Sequence, residues 1–244
     1  MPRDRFFVEG RHAVGDAVRL PADDAHKIAD VLRMGGGDRI VVVDSAAQSF
    51  EAVIEANPRR DGVVARLESA LAAAQVESSK TLVLAQAIPK GTKMDSIVEK
   101  ATELGVARII PLHTSRTIAD ASAHKLERWR KIARAAAQQS GRTHVPDVDE
   151  PLALQTLLGT LSGYALALFA WELGGVPLRE ALRARGDAHS ILAIVGPEGG
   201  FSTAEAEAAE AAGARRVSLG RRILRTETAG PVILTAVLYE GGEL

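Results

Sequence analysis

From Thr81 to the end, the chain keeps switching its apolar period. The runs TLVLAQAI (81–88), ARIIPLH (107–113), GYALALFA (163–170), SILAIVG (190–196) and RRVSLG (215–220) read as strands. Helical patterns lie between and after them: 92–105, 124–141, 177–186, 202–213 and 226–242. Strands that alternate with helices imply a parallel sheet joined by right-handed crossovers, so the expected fold class is α/β. The helix at 92–105 has Met94, Ile97, Val98, Ala101 and Leu104 on its apolar face, with Thr92 as cap and Gly105 as stop. Ser202 and Glu205 form the pattern of a capping box.

The first 70 residues follow another plan. RFFV (5–8), RIVVVD (39–44), SFEAVIEA (49–56) and GVVARLES (62–69) read as short strands, with one helix at 23–34 and turns at 35–38 and 57–62. The small, polar stretch up to Lys80 marks a domain boundary. The 244 residues suit one large or two small domains. No apolar run is long enough for a membrane span, and no secretory pattern opens the chain, so a cytoplasmic protein without membrane contact is expected. Cys is absent and the six His lack metal-binding spacing, so no metal is expected. A net charge of −1 argues against non-specific coating of nucleic acid, and 4% aromatics argue against base stacking on an aromatic sheet.

Chemistry is expected where strands end. Gly196, Pro197, Glu198, Gly199 and Gly200 follow the strand at 190–196. Ligands of open α/β sheets bind at such carboxyl ends, where glycine lets the backbone come close; a tight strand-to-helix turn would use the same residues. The spacing matches no dinucleotide or nucleoside-triphosphate loop. A second such loop, Leu219, Gly220, Arg221, Arg222, Ile223 and Leu224, leads through Arg225 into a helix capped by Thr226 or Thr228. Pro231 is tolerated there if it lies in the first turn. Arginines at a helix N-terminus suit a phosphate or a polarised carbonyl; a solvated charge run is the plain alternative. A third loop carries Phe169 and Glu172. Three loops with Glu172, Glu198 and Glu227 suggest one pocket. The helix at 124–141 has a basic face, Lys125, Arg128, Lys131 and Arg134, followed by Arg142, which fits either phosphate contacts or a solvated surface.

KATELGVARIIPL, QQSGR followed by VP, GPEGGFS and LGRRILRTETA occur in this order, with RFF and HKIADVLRM before them. Along essentially its whole length, the chain resembles the bacterial ribosomal RNA small subunit methyltransferase E family. The resemblance implies a PUA-like RNA-binding β-barrel at 1–70, a linker at 71–79, and a SPOUT-class α/β domain with a trefoil knot at 80–244. It implies S-adenosylmethionine as cofactor, a homodimer, and methylation of N3 of a uridine in 16S ribosomal RNA of the small subunit. The expected cofactor loops are those of Phe169 and Glu172, of Gly196 to Gly200, and of Leu219, Gly220, Ile223 and Leu224. RNA contacts are expected from Arg5, Arg33, Arg116, Arg142 and Arg222. The family often has an acidic residue where this chain has Gln138, so no carboxylate base is expected there.

Methyl transfer from a sulfonium asks the protein mainly for placement. Uridine N3 must be unpaired and lose its proton, and charge then develops on the flanking carbonyls. Arg225 is the expected stabiliser of that charge. Glu198 is expected to orient the base or accept the proton. Two other classes stay open: a SPOUT ribose 2′-O-methyltransferase acting on tRNA or ribosomal RNA, and a non-catalytic RNA-binding assembly factor.

Overall fold

The structure, a computed structural model, describes residues 5–55, 62–72 and 76–244. Parts of the expected turn at 57–62 and linker at 71–79 lie outside these residues. Two compact units form: the described residues up to Glu77 with Ala137–His144, and Ser78–Ala136 with Val145–Leu244. The grouping of Ala137–His144 with the first unit has no signal in composition.

The first unit is a mixed sheet of β1 (Arg5–Phe7), β2 (Ala17–Arg19), β3 (Arg39–Val43), β4 (Ser49–Ile54) and β5 (Val64–Ala70), in the order β1-β3-β4-β5-β2. β1 runs parallel to β3, and the other pairs are antiparallel. Alternating residues Ile40 and Val42, Phe50, Ala52 and Ile54, and Ala65 and Leu67 meet Phe6 and Ile28 in one core. Helix α1 (Ala22–His26) passes into a π-helical turn, Lys27–Val31, closed by a bond from Leu32 N–H to the Lys27 carbonyl. The wider turn keeps Ile28 and Ala29 buried while Val31 faces solvent.

The second unit is a sheet in the order β11-β13-β10-β12-β6-β7-β8, with β9 also on β7. Its strands are β6 (Thr81–Ala87), β7 (Arg108–His113), β8 (Asp147–Val148), β9 (Leu152–Ala153), β10 (Leu166–Ala170), β11 (Val176–Pro177), β12 (Ser190–Val195) and β13 (Arg215–Ser218). Every pairing is parallel, as the alternation requires. Both faces are covered. Leu82, Leu84, Leu168, Ile191 and Ala193 face α2 (Lys93–Glu103), α3 (Ala123–Ser140), α5 (Leu178–Arg183) and α7 (Thr226–Glu240). Val83, Ala85, Phe169, Leu192 and Ile194 face α4 (Leu154–Leu158) and α6 (Thr203–Ala211). Burial on two faces is why these strands read as continuous apolar runs; each buried Leu or Ile contributes about 1.5–3 kcal/mol.

Helix α7 lies close on the sheet at Gly230, where a methyl group would sit 3.2 Å from the Leu84 side chain. Pro231 is inside α7 rather than in its first turn. The carbonyl of Glu227, four residues earlier, therefore lacks its helical donor, yet the helix continues. Thr92 stands at the start of α2 without a side-chain capping bond.

Candidate active site

Strands β13, β10 and β12 are neighbours and run parallel, so their carboxyl ends open on one edge of the sheet. The loops that follow them, with the first turns of α2 and α7, line a cavity of about 530 Å³. That volume is in the range of small-molecule sites.

The middle loop is a tight turn in which Gly200 N–H donates to the Pro197 carbonyl at 2.9 Å. Gly200 has φ +66°, and a Cβ there would run into the Glu172 carboxylate, whose Cδ would be 3.0 Å away. The backbone angle demands glycine, and a Cβ would in addition have to displace the Glu172 carboxylate. The Glu172 and Gly200 loops are thus packed directly against each other. Phe169 lies beneath them, fully buried, with its ring centroid 4.1 Å from that of Phe201. It supports the pocket floor and does not line the cavity.

A buried polar chain fastens this loop. Gln86 Nε2 donates to Thr226 Oγ1 at 2.8 Å, and Thr226 Oγ1 donates to the Gly196 carbonyl at 2.6 Å. Thr226 therefore does not cap α7. Arg225 holds the N-cap position, without a capping bond. On the other flank, Arg116 donates to the Gly199 carbonyl at 2.7 Å. Ser115 donates to Glu205, which completes the expected capping box with Ser202.

Charge gathers at the lip. Lys93 Nζ lies 2.9 Å from Glu198 and 3.7 Å from Glu227, and Arg225 lies 4.0 Å from Glu227. Burial pushes the Glu198 carboxyl up, but Lys93 and the backbone N–H groups of Glu198 itself and of Lys90 more than offset this and hold it below its ordinary value. Lys93 in turn is pushed above its ordinary value, chiefly by its hydrogen bond to Glu198. Glu198 is thus an ionised acceptor and a weak base. Arg225 is 84% exposed at its side chain and stands at the cavity wall. Two cavity-lining residues keep buried polar atoms without a hydrogen-bond partner among the described residues: Trp171 Nε1 and Glu227 Oε2.

The structure brings Glu172, Gly196 to Gly200, Leu219, Gly220, Ile223 and Leu224 to this cavity, together with Arg222 and Arg225. The other candidate residues lie elsewhere. Arg33 is exposed in the first unit with φ +55°. Arg5 Nη1 is buried in β1 without a hydrogen-bond partner among the described residues. Arg142 is buried and ion-paired to Glu77 at 2.7 Å, so its guanidinium is already engaged. Gln138 bridges Asp24, at 2.6 Å, and Lys27, at 3.3 Å. Among the described residues, no group of three or more His, Cys, Asp or Glu is placed to hold a metal.

Sequence reasoning missed Lys93 and Gln86. Both left a signal: a cation in the first turn of a helix, where the dipole disfavours it, and a polar residue inside an otherwise apolar strand.

The fold and cavity define an α/β protein with a ligand pocket at the strand ends, and residues 76–238 match the model of the RNA methyltransferase domain. Ribosomal RNA small subunit methyltransferase E of Synechocystis is 34% identical over 96% of this chain and 76% of its own length. The Bacillus subtilis protein of the same name is 32% identical over 97% and 96%. The chain belongs to the ribosomal RNA small subunit methyltransferase E family. The crystal structure of the Neisseria gonorrhoeae member, bound to S-adenosyl methionine, is 30% identical, covers 97% of both chains and has a TM-score of 0.87. A Legionella pneumophila protein solved with bound SAM is 29% identical over 98% of both chains, also with a TM-score of 0.87.

Proposed function

We propose that this chain uses S-adenosylmethionine to methylate N3 of a uridine in 16S ribosomal RNA. The observation that carries the reading is the three-loop cavity at the strand ends, in a chain whose solved relatives hold that cofactor. The residues fit the group: an apolar wall from Val195, Leu219, Leu224 and Ala229, carboxylates beside it, and a buried Trp171 Nε1 without a hydrogen-bond partner among the described residues. When bound, S-adenosylmethionine supplies an activated methyl group.

The chain's own residues place the acceptor. Arg225, free to reach outward, donates to a uridine carbonyl as N3 loses its proton and negative charge spreads to oxygen. Glu198, held ionised, orients the base rather than takes up the proton, which leaves to solvent water at the open lip of the cavity. Arg221 and Arg222, both exposed on the third loop, meet RNA phosphate, and Arg116 steadies the glycine loop from outside. The first unit serves as a PUA-like RNA-docking barrel, the strands around the cavity follow a knotted path, and Val232, Ala236 and Tyr239 of α7 form a face for a second copy of the chain. The ribosomal substrate places the work in the cytoplasm.

Nucleoside analysis of small-subunit RNA from cells lacking the protein tests this reading. Loss of 3-methyluridine is expected. Unchanged 3-methyluridine, or loss of a 2′-O-methyl nucleoside instead, would contradict it.

A further inference from the structure

Lys93 belongs to none of the three strand-end loops. It comes from the first turn of α2, after β6, and its ammonium reaches the lip of the cavity. There it donates to Glu198 Oε1 at 2.9 Å, while the Lys90 backbone N–H donates to the same oxygen at 3.1 Å. Two donors on one oxygen define where the carboxylate points. The same ammonium is 3.7 Å from Glu227 Oε2, at the start of α7. One cation thus joins the glycine loop to the helix that closes the third loop. A lysine in the first turn of a helix works against the helix dipole, a cost the two carboxylates offset.

We propose that Lys93 is a positioning residue: it fixes the ionised Glu198 carboxylate at the cavity lip, so that a ligand meets a preformed acceptor. The proposal rests on reading the cavity as the S-adenosylmethionine site. The charged groups around Glu198 are few. Lys93 faces it from α2, Glu227 and Arg225 from the start of α7, and Arg116 from the far side of the glycine loop, on the Gly199 carbonyl. Arg225 pairs with Glu227 and not with Glu198, so Lys93 supplies the nearest positive charge. Without it, burial acts on Glu198 with only backbone N–H groups, its own and that of Lys90, opposing. The carboxyl then protonates at higher pH and loses its fixed direction.

The test compares wild type, Lys93→Met and Lys93→Arg. Carbon NMR of the Glu198 carboxyl in the ligand-free protein reads the pair directly. Calorimetry with S-adenosylmethionine across pH reads its consequence. Lys93→Met should titrate Glu198 at higher pH than wild type. It should bind the cofactor about tenfold more weakly at neutral pH, the scale of losing a charged hydrogen bond, and its acid-side loss of affinity should begin at higher pH. Lys93→Arg should restore most of both. In a Glu198→Gln background, Lys93→Met should add little further loss. An unchanged Glu198 titration, or an equal loss in the Glu198→Gln background, would overturn the proposal alone. A wild-type chain that binds no S-adenosylmethionine would remove the underlying reading and the proposal with it. The side chain of Lys93 is 38% exposed, so the fold should persist, and thermal melting verifies this.

Discussion

Thr226 Oγ1 donates a 2.6 Å hydrogen bond to the carbonyl of Gly196, and so ties the first residue of α7 to the loop after β12. Behind it, Gln86 Nε2 donates to the same hydroxyl, and both side chains are buried. Thr226→Val keeps the shape and removes the hydroxyl. It should cost about 1–3 kcal/mol, because the Gly196 carbonyl and the Gln86 amide both lose a partner. Urea unfolding measures the loss. Calorimetry should show weaker S-adenosylmethionine binding, since the loop edge is no longer held.

The neighbouring glycines should differ. Gly200 has φ +66°, and a side chain there would have to displace the Glu172 carboxylate, whereas a Cβ on Gly199 would meet Arg116 at an ordinary 3.5 Å. Gly200→Val should abolish cofactor binding, and Gly200→Ala should already cost about 1–2 kcal/mol from the left-handed backbone alone. Gly199→Ala should bind nearly as wild type. Equal effects at the two positions would mean that neither backbone angle nor space decides.

Arg225 is exposed and pairs only loosely with Glu227, so its removal should leave stability unchanged. Arg225→Ala should lower single-turnover methylation by roughly 10²–10³-fold at saturating RNA and cofactor, the scale of losing one donor to developing charge. Arg225→Lys should recover little, because it lacks the planar fork. If Arg225 met a phosphate instead, RNA affinity and its salt dependence would change while the saturating rate stayed normal.

The alternation from Thr81 onward made the parallel sheet legible, because burial on both faces forces apolar strands between amphipathic helices. The strand-end loops were legible for the same reason. Gly196 to Gly200 and Leu219 to Leu224 stand where periodicity stops, and the structure brings both to one cavity. What stayed hidden depends on partners far along the chain. Nothing local shows that Thr226 turns from capping to the Gly196 carbonyl, or that Lys93 crosses to Glu198. Arg142 looked like a surface cation after a basic helix, yet Glu77 lies 65 residues away in sequence and takes it up. Short elements such as β8, β9 and β11 have two residues each, too few for any period to register.

The Glu77 pair sets a pH dependence. Burial pushes its carboxyl up, but Arg142 and the N–H groups of Thr143 and His144 outweigh this and hold it below its ordinary 4.5. The unfolded chain therefore takes up the proton at higher pH than the folded one. The stabilisation is complete above about pH 4.5 and is lost as pH falls below it, through the lower folded value. Arg142→Gln should cost about 1–3 kcal/mol at neutral pH and flatten that acid slope. Urea midpoints from pH 3 to 7, taken for both proteins, provide the comparison, with pH limits set by this window.

Reconstitution tests the central claim most directly. The purified chain is given methyl-labelled S-adenosylmethionine and small ribosomal subunits, and the RNA is digested to nucleosides. The account predicts label in 3-methyluridine, and none when Gly200→Val replaces the wild type. Label on a ribose 2′-oxygen, or no transfer by a wild-type chain that still binds the RNA, would contradict it.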